Sequence, residues 1–260
     1  MRNARVSNPI LGFLSIMLLL SGWQLSAMHH LFAISGFPSP IEVTLRIIDL
    51  RSELAIELVH TLRRAAIGLI LALVSMIPLG VIIGRSKAIA QIVEPVIELL
   101  RPLPTPAIIP FMMLIAGIGD GAKIAVIFYA SAFPILLNAI DGARALHPML
   151  SLTARSLRLT RLESIVFIYV PASLPQVMAG IRTSVAISVL VSVTAEMLLS
   201  TDGLGIFLLR SQENFRLVDG IAGIVVLAVA AMSINWFYTL ADERLLRWHY
   251  HGVGARGDTK

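Results

Sequence analysis

Ser151-Leu152-Thr153-Ala154-Arg155-Ser156-Leu157-Arg158-Leu159-Thr160-Arg161 is the stretch that decides the fold, together with Glu163-Ser164-Ile165-Val166-Phe167-Ile168-Tyr169-Val170-Pro171 just beyond it. The first part reads as a short basic helix, centred on about 153–160. It lies in a segment, 141–175, between two apolar runs at about 122–140 and 176–198. Each run has the roughly 20 residues that a helix needs to cross a bilayer core. A short helix held rigidly between two spans, with one face exposed, is what mechanical docking to a partner requires. The same residues would also serve as an ordinary basic loop that does no more than set topology.

Outward from this segment lie further apolar runs at about 9–31, 61–84, 88–116 and 220–240, so the chain is expected to cross the membrane six times. Composition demands the same reading. Of 260 residues, 57% are hydrophobic and 14% charged, against about 25% charged in a soluble domain. Such a chain has too little polar surface to cover a globule in water, so lipid must be the solvent for much of it. The fold class is therefore all-α, a polytopic membrane protein. The net charge of +5 fits basic loops on one side of a membrane better than nucleic-acid binding.

The first run begins behind Arg2 and Arg5, as a signal peptide would, and Leu25-Ser26-Ala27 resembles a cleavage site. Its apolar core is long for a signal peptide and is read as an uncleaved span. After it, Ser39 can cap a helix, Pro40 suits the first turn and Glu42 completes a capping box. The mixed-charge helix that follows, to about His60, is too polar to span and is expected to lie along the membrane surface.

Within the third run, Arg101-Pro102-Leu103-Pro104-Thr105-Pro106 and Pro110 cannot sit in one regular helix, since each proline removes a donor and crowds the preceding turn. Broken backbone at membrane depth is tolerated only beside protein or a water-filled cavity. Pro104 and Pro106 are thus pathway candidates. Ser184, Ser188 and Ser192 recur every four residues along one helix face. They could line a hydrophilic route or permit close helix packing. Arg101 costs about 2.5–3.5 kcal/mol at the bilayer centre and is expected to face protein or water. Glu196, at the end of the fifth span, could sit in the interface at little cost. Either charge could be structural or belong to the pathway.

With both termini in the cytoplasm, thirteen basic residues fall on the cytoplasmic side and seven outside, with Arg101 left in the third span. The positive-inside rule selects that orientation. Catalytic and metal-binding motifs are missing. There is no cysteine, His29-His30 and His249-Tyr250-His251 lack a helical metal spacing, and no G-x-x-x-x-G-K-[ST] cradle for ATP phosphates is present. No catalytic residue, metal or cofactor is expected.

The 151–171 segment resembles the "EAA" loop of bacterial binding-protein-dependent ABC importer permeases, E-A-A-x3-G-x9-I-x-L-P. Aligned on Ala154, the family's glycine falls on Arg158, its isoleucine on Ile168 and its proline on Pro171. Its leucine is Val170, its second residue is Thr153 and its glutamate is Leu152. Phe37-Pro38-Ser39-Pro40, Thr61-Leu62-Arg63-Arg64 with Gly68, Pro78-Leu79-Gly80 with Gly84, Arg101-Pro102-Leu103-Pro104, Gly117-Ile118-Gly119, Phe133-Pro134-Ile135, Ala195-Glu196-Met197 and Gly203-Leu204-Gly205 are similar to the nitrate/sulfonate/taurine branch.

The resemblance implies a type I importer transmembrane domain over 56–241. An N-terminal span and external surface helix would precede it in 1–55, and a cytoplasmic tail would follow in 242–260. It implies a cytoplasmic ATP-binding subunit, an external solute-binding protein and a second permease, identical or related, in the bacterial inner membrane. The solute would be an anion such as a sulfonate or nitrate, or a vitamin precursor. The ATPase-coupling residues would be Leu152, Thr153, Ala154, Arg155, Leu157, Arg158, Ile168 and Pro171. Leu152 and Arg158 depart from the family pattern, which implies weaker docking, a different partner, or a second permease with an intact loop. A membrane-embedded enzyme acting on a lipid-linked substrate, or a secondary transporter, are the competing classes. The first would need acidic or histidine clusters at a membrane face. The second would need ionisable residues near mid-bilayer and inverted repeats.

Overall fold

The computed structural model describes residues 9–28, 37–117 and 119–246. In chain order the helices are α1 (Pro9–Met28), α2 (Pro40–Asp49), α3 (Arg51–Arg85), α4 (Lys87–Leu100), α5 (Thr105–Ala116), α6 (Asp120–Arg144), α7 (Met149–Ser156), α8 (Arg161–Ser164), α9 (Val170–Leu199), α10 (Leu204–Glu213) and α11 (Leu217–Leu245). A π-helical turn, Ile165–Tyr169, joins α8 to α9. No strand occurs among the described residues. Five helical segments are long and apolar enough to cross a membrane, and α4 with α5 makes a sixth as one broken span.

Three long helices, α3, α6 and α9, form the centre. The glycines of α3 explain how closely α3 and α6 lie. A Cβ on Gly68 would fall 2.5 Å from Ile127, one on Gly80 would fall 2.5 Å from Ala139, and one on Gly84 would fall 2.6 Å from the Ile140 carbonyl oxygen. Small residues of this kind let membrane helices associate through backbone-level packing when no hydrophobic driving force exists between them. Against this pair α4 seats Ala90 and Ile97 beside Ile83, Leu136 and Ile140. Helix α5 seats Ile109 among Val126, Ile127, Val191 and Ala195. The outer faces stay apolar and open, as lipid contact requires: Leu114 and Ile115 on α5 and Leu18 on α1 are largely exposed.

Several boundaries differ from the sequence expectation. The capping box at Ser39 and Glu42 forms, with Pro40 in the first turn, but the surface helix stops at Asp49 instead of continuing to His60. Residues 51–67 hold no proline or glycine, so nothing breaks the helix that begins at Arg51, and the polar turns simply extend the span. The proline-rich third run is two helices bent by 101° at residues 101–104. The fifth span is likewise longer than 176–198, because its helix is continuous with α8 from Arg161.

Candidate functional site

At one end of the bundle α7 stands between α6 and α8. It occupies Met149–Ser156, four residues earlier than the expected 153–160, because the chain turns sharply at Arg158. There the backbone adopts φ 53. The Arg158 N–H donates to the Arg155 carbonyl at 2.9 Å, and the Leu159 N–H donates to the Ala154 carbonyl at 3.1 Å. These two bonds close a helix with a left-handed residue just past its cap, a place where glycine is favoured. An arginine there costs about 1–2 kcal/mol. The turn that the family's glycine would supply is thus kept without the glycine. Thr160 then caps α8, accepting from Glu163 N–H while the Glu163 carboxylate accepts from Thr160 N–H.

Ala154 is buried and turned toward its own chain, so it is not available for apolar contact with a partner; Leu152 and Leu157 are 53% and 62% exposed. Thr153 lies exposed beside them, its hydroxyl donating to the Met149 carbonyl. Arg155 lines the inward side of the helix with Ser151 and Ala154. Ile168 is half-buried in the π turn, and Pro171 follows as the second residue of α9, inside the continuous helix that runs from Arg161.

At the opposite end lies a buried charge knot centred on Arg64, which the sequence presents in the Thr61-Leu62-Arg63-Arg64 motif without a role in a site. Arg64 is 1% exposed and Glu196 0%. The Arg64 guanidinium donates to Glu196 Oε1 at 2.8 Å, to Asp120 Oδ1 at 2.8 Å and to the Asp202 carboxylate. Glu196 Oε2 accepts from Thr61 Oγ1 at 2.8 Å and from Gly205 N–H at 3.0 Å. Lys123 adds bonds to Asp120 at 3.2 Å and to Ser200 at 2.8 Å. Glu196, at the end of α9, is therefore fully enclosed by its own chain. Its cost is met by one paired cation and two donors, the arrangement that makes a buried charge tolerable. Burial alone would raise the Asp202 carboxyl, which lies in the loop after α9. Hydrogen bonds from Arg64 and Ser200 and the nearby charge of His60 outweigh that and hold it down at about 2.

Gly203 completes the knot. Its φ is 102°, and a Cβ there would fall 2.3 Å from the Glu196 carboxyl carbon, so only glycine fits. The doublet Arg63-Arg64 and the strings Ala195-Glu196-Met197 and Gly203-Leu204-Gly205, noticed as family motifs, meet here. Besides the motif, the signal for Arg64 was an arginine pair three residues into a run long and apolar enough to span.

The remaining candidates are spread out. Ser184 donates to the Ser131 carbonyl at 2.7 Å, Ser188 to Val185 at 2.8 Å and Ser192 to Thr61 at 3.0 Å. All three are buried, so the stripe faces neighbouring helices of this chain. Arg101, Pro104 and Pro106 stand exposed at the elbow between α4 and α5. The Tyr129 hydroxyl, nine residues into α6, donates to the Leu100 carbonyl at 2.5 Å and sets the elbow roughly 13 Å from the start of that helix. Arg101 makes no ion pair with the described residues. No group of three or more metal-ligating side chains exists among the described residues.

Comparison with known proteins gives a consistent picture. The family model described as "Binding-protein-dependent transport system inner membrane component" matches residues 76–247. The taurine transport system permease protein of Escherichia coli is 29% identical over 243 residues, covering 90% of this chain and 88% of that one. A putative aliphatic sulfonates transport permease of Bacillus subtilis is 28% identical over 239 residues, 91% and 87% of the two chains. A nitrate import permease of Synechococcus elongatus is 30% identical over 195 residues, 75% of this chain and 68% of that one. Among solved structures, the MetNI methionine ABC transporter aligns with a TM-score of 0.65 at 17% identity, covering 74% of this chain and 96% of the other. That likeness shows a type I ABC importer transmembrane fold.

Proposed function

Because the chain belongs to the family of binding-protein-dependent transport system inner membrane components, we propose that it forms half of the translocation path of an ATP-driven importer for a small oxyanion of the sulfonate or nitrate kind. It is a multi-pass ABC importer permease of the inner membrane. The observation that carries the mechanistic reading is the pairing of α7 and the charge knot at opposite ends of the same three helices. Helix α7 offers Leu152, Thr153 and Leu157 to a cytoplasmic ATPase. Arg158 holds its exit turn, and Ala154, Ile168 and Pro171 tie it to the spans. Closure of the ATPase would push on α6 and α9 through that rigid contact, since a flexible loop would absorb the motion.

In this proposal the α7 end and both termini are cytoplasmic, which the excess of basic residues on that side supports. The transport domain covers 56–241, residues 1–55 carry the extra span and the external surface helix, and 242–260 form the tail. The pathway lies at the α4–α5 elbow, where Arg101, Pro104 and Pro106 present a cation and broken backbone at membrane depth, and the serine stripe of α9 serves packing. A second permease, equal or related, closes the other half, and an external binding protein delivers the solute. The test is reconstitution of the permease in proteoliposomes with its ATPase and binding protein. Labelled taurine or nitrate should enter only when both partners and ATP are present. Uptake by the permease alone, driven by an ion gradient, would overturn this reading in favour of a secondary transporter.

A further inference from the structure

Behind α7, on the side turned away from its exposed leucines, lies a cavity of about 640 Å³. Three elements wall it: the end of α3 supplies Arg85, α7 supplies Ser151 and Arg155, and the α8–π segment supplies Arg161, Ile165 and Tyr169. No aspartate or glutamate lines it. Two acids from this end of the bundle are committed elsewhere. Glu163, the only acid between Asp141 and Glu196, accepts from Thr160 N–H and Oγ1 at 2.7 Å each, and Glu94 pairs with Arg144. Three arginines therefore line one space, and none forms an ion pair with an acid among the described residues.

The wall is shaped as well as charged. The Arg85 guanidinium sits 4.5 Å above the Tyr169 ring, which fixes its direction. The π turn brings Ile165 and Tyr169 onto the cavity side together, and such turns recur where a helix is adapted to a ligand. Ring-stacked and unpaired arginines offer planar forks of donors that match the oxygens of phosphate-type groups. The cavity is much wider than a bare phosphate, and Ile82, Leu159 and Ile165 add apolar lining to the arginines. That leaves room for a phosphate carried on a larger molecule as well as for a free one.

We infer that this cavity binds a phosphate-type oxyanion, carried by an anionic phospholipid or present as free phosphate. The site is separate from the pathway elbow and from the exposed face of α7, so its occupancy would set how firmly α7 is braced against α3.

The experiment uses the full chain with its ATPase. One arm places the complex in vesicles of phosphatidylcholine, or of equal parts phosphatidylcholine and phosphatidylglycerol, then counts retained phosphatidylglycerol after extraction by native mass spectrometry. The other titrates inorganic phosphate in neutral detergent and follows the thermal midpoint. The test variant is Arg85→Gln with Arg161→Gln; the control is Lys87→Gln with Arg244→Gln, the same charge removed outside the cavity. All four side chains are exposed, and an unheated elution profile checks folding, with Arg161→Gln alone as the milder variant. Either phosphatidylglycerol retention or stabilisation by phosphate should fall about tenfold in the test variant and not in the control, as expected for losing charge-assisted contacts. Which arm responds identifies the source. If neither arm distinguishes test from control, the inference is overturned. It is equally overturned if the test variant sheds the ATPase while binding lipid and phosphate normally, because the cavity then belongs to the ATPase contact.

Discussion

At the knot end of the bundle Arg64 and Glu196 are closed off from solvent, Arg64 pairs with Asp120, Glu196 and Asp202, Lys123 pairs with Asp120, and Gly203 lets a loop lie directly on the carboxylate. At the α7 end Leu152, Leu157 and Leu162 stand exposed, and Arg85, Arg155 and Arg161 share a cavity without an acid. Both ends join the same helices, α3, α6 and α9. The contrast teaches where the molecule is finished and where it waits for a partner. A saturated polar network rigidifies because each member depends on the others, whereas unpaired charge beside exposed apolar surface marks a contact still to be made. Force applied at α7 would thus act on helices whose far ends are fixed together.

The largest way to break this contrast is Arg64→Met. It leaves Glu196 buried without its cation, which costs about 3–5 kcal/mol. The variant is expected to give little folded protein by size-exclusion profile, and an unchanged thermal midpoint would show that the knot does not hold that end. Gly203→Ala should cost less, about 1–3 kcal/mol for the backbone conformation alone, with a further penalty from contact with Glu196. A lowered midpoint together with normal membrane insertion is the expected result, and a midpoint equal to wild type would show that the loop has room to move.

Acid sharpens the comparison most gently. The Asp202 carboxyl is held at about 2 in the folded protein, below its ordinary value near 3.9. A depressed carboxyl stabilises the fold above its unfolded value and loses that contribution as pH falls toward the folded one. Detergent melts should therefore show this group's contribution as constant from pH 7 to about 5 and declining between about pH 4 and 2. Asp202→Asn should flatten that decline. An unaltered acid profile in the variant would remove Asp202 from the account.

Much of the fold was legible in the sequence because hydropathy and helix punctuation act locally. The spans, the Ser39–Glu42 capping box and the break at Pro102–Pro106 all follow from short-range rules. The knot was not legible in the same way, since Arg64, Asp120, Glu196 and Asp202 are brought together over separations of 56 to 138 residues. Periodicity says nothing about which distant charges meet. Pattern matching at α7 found the helix but misjudged its phase. Ala154 looked like a contact residue because it anchors the motif, yet its small side chain is what lets α7 lie against its own chain. Arg158 looked like a departure from the family's glycine, although the 3.1 Å bond from Leu159 to the Ala154 carbonyl shows a sharp turn formed there.

The proposed coupling depends on α7 docking through its exposed face, and Leu157→Asp tests that most directly. The substitution adds a charge to an exposed position, so the permease should insert and melt as wild type does. Burying that carboxylate against the ATPase would cost several kcal/mol. The amount of ATPase co-purifying with the tagged permease is therefore expected to drop at least about tenfold, taking ATP-dependent uptake with it. A Leu157→Asp permease that retains its ATPase in full and transports normally would contradict the assignment of α7 as the docking element.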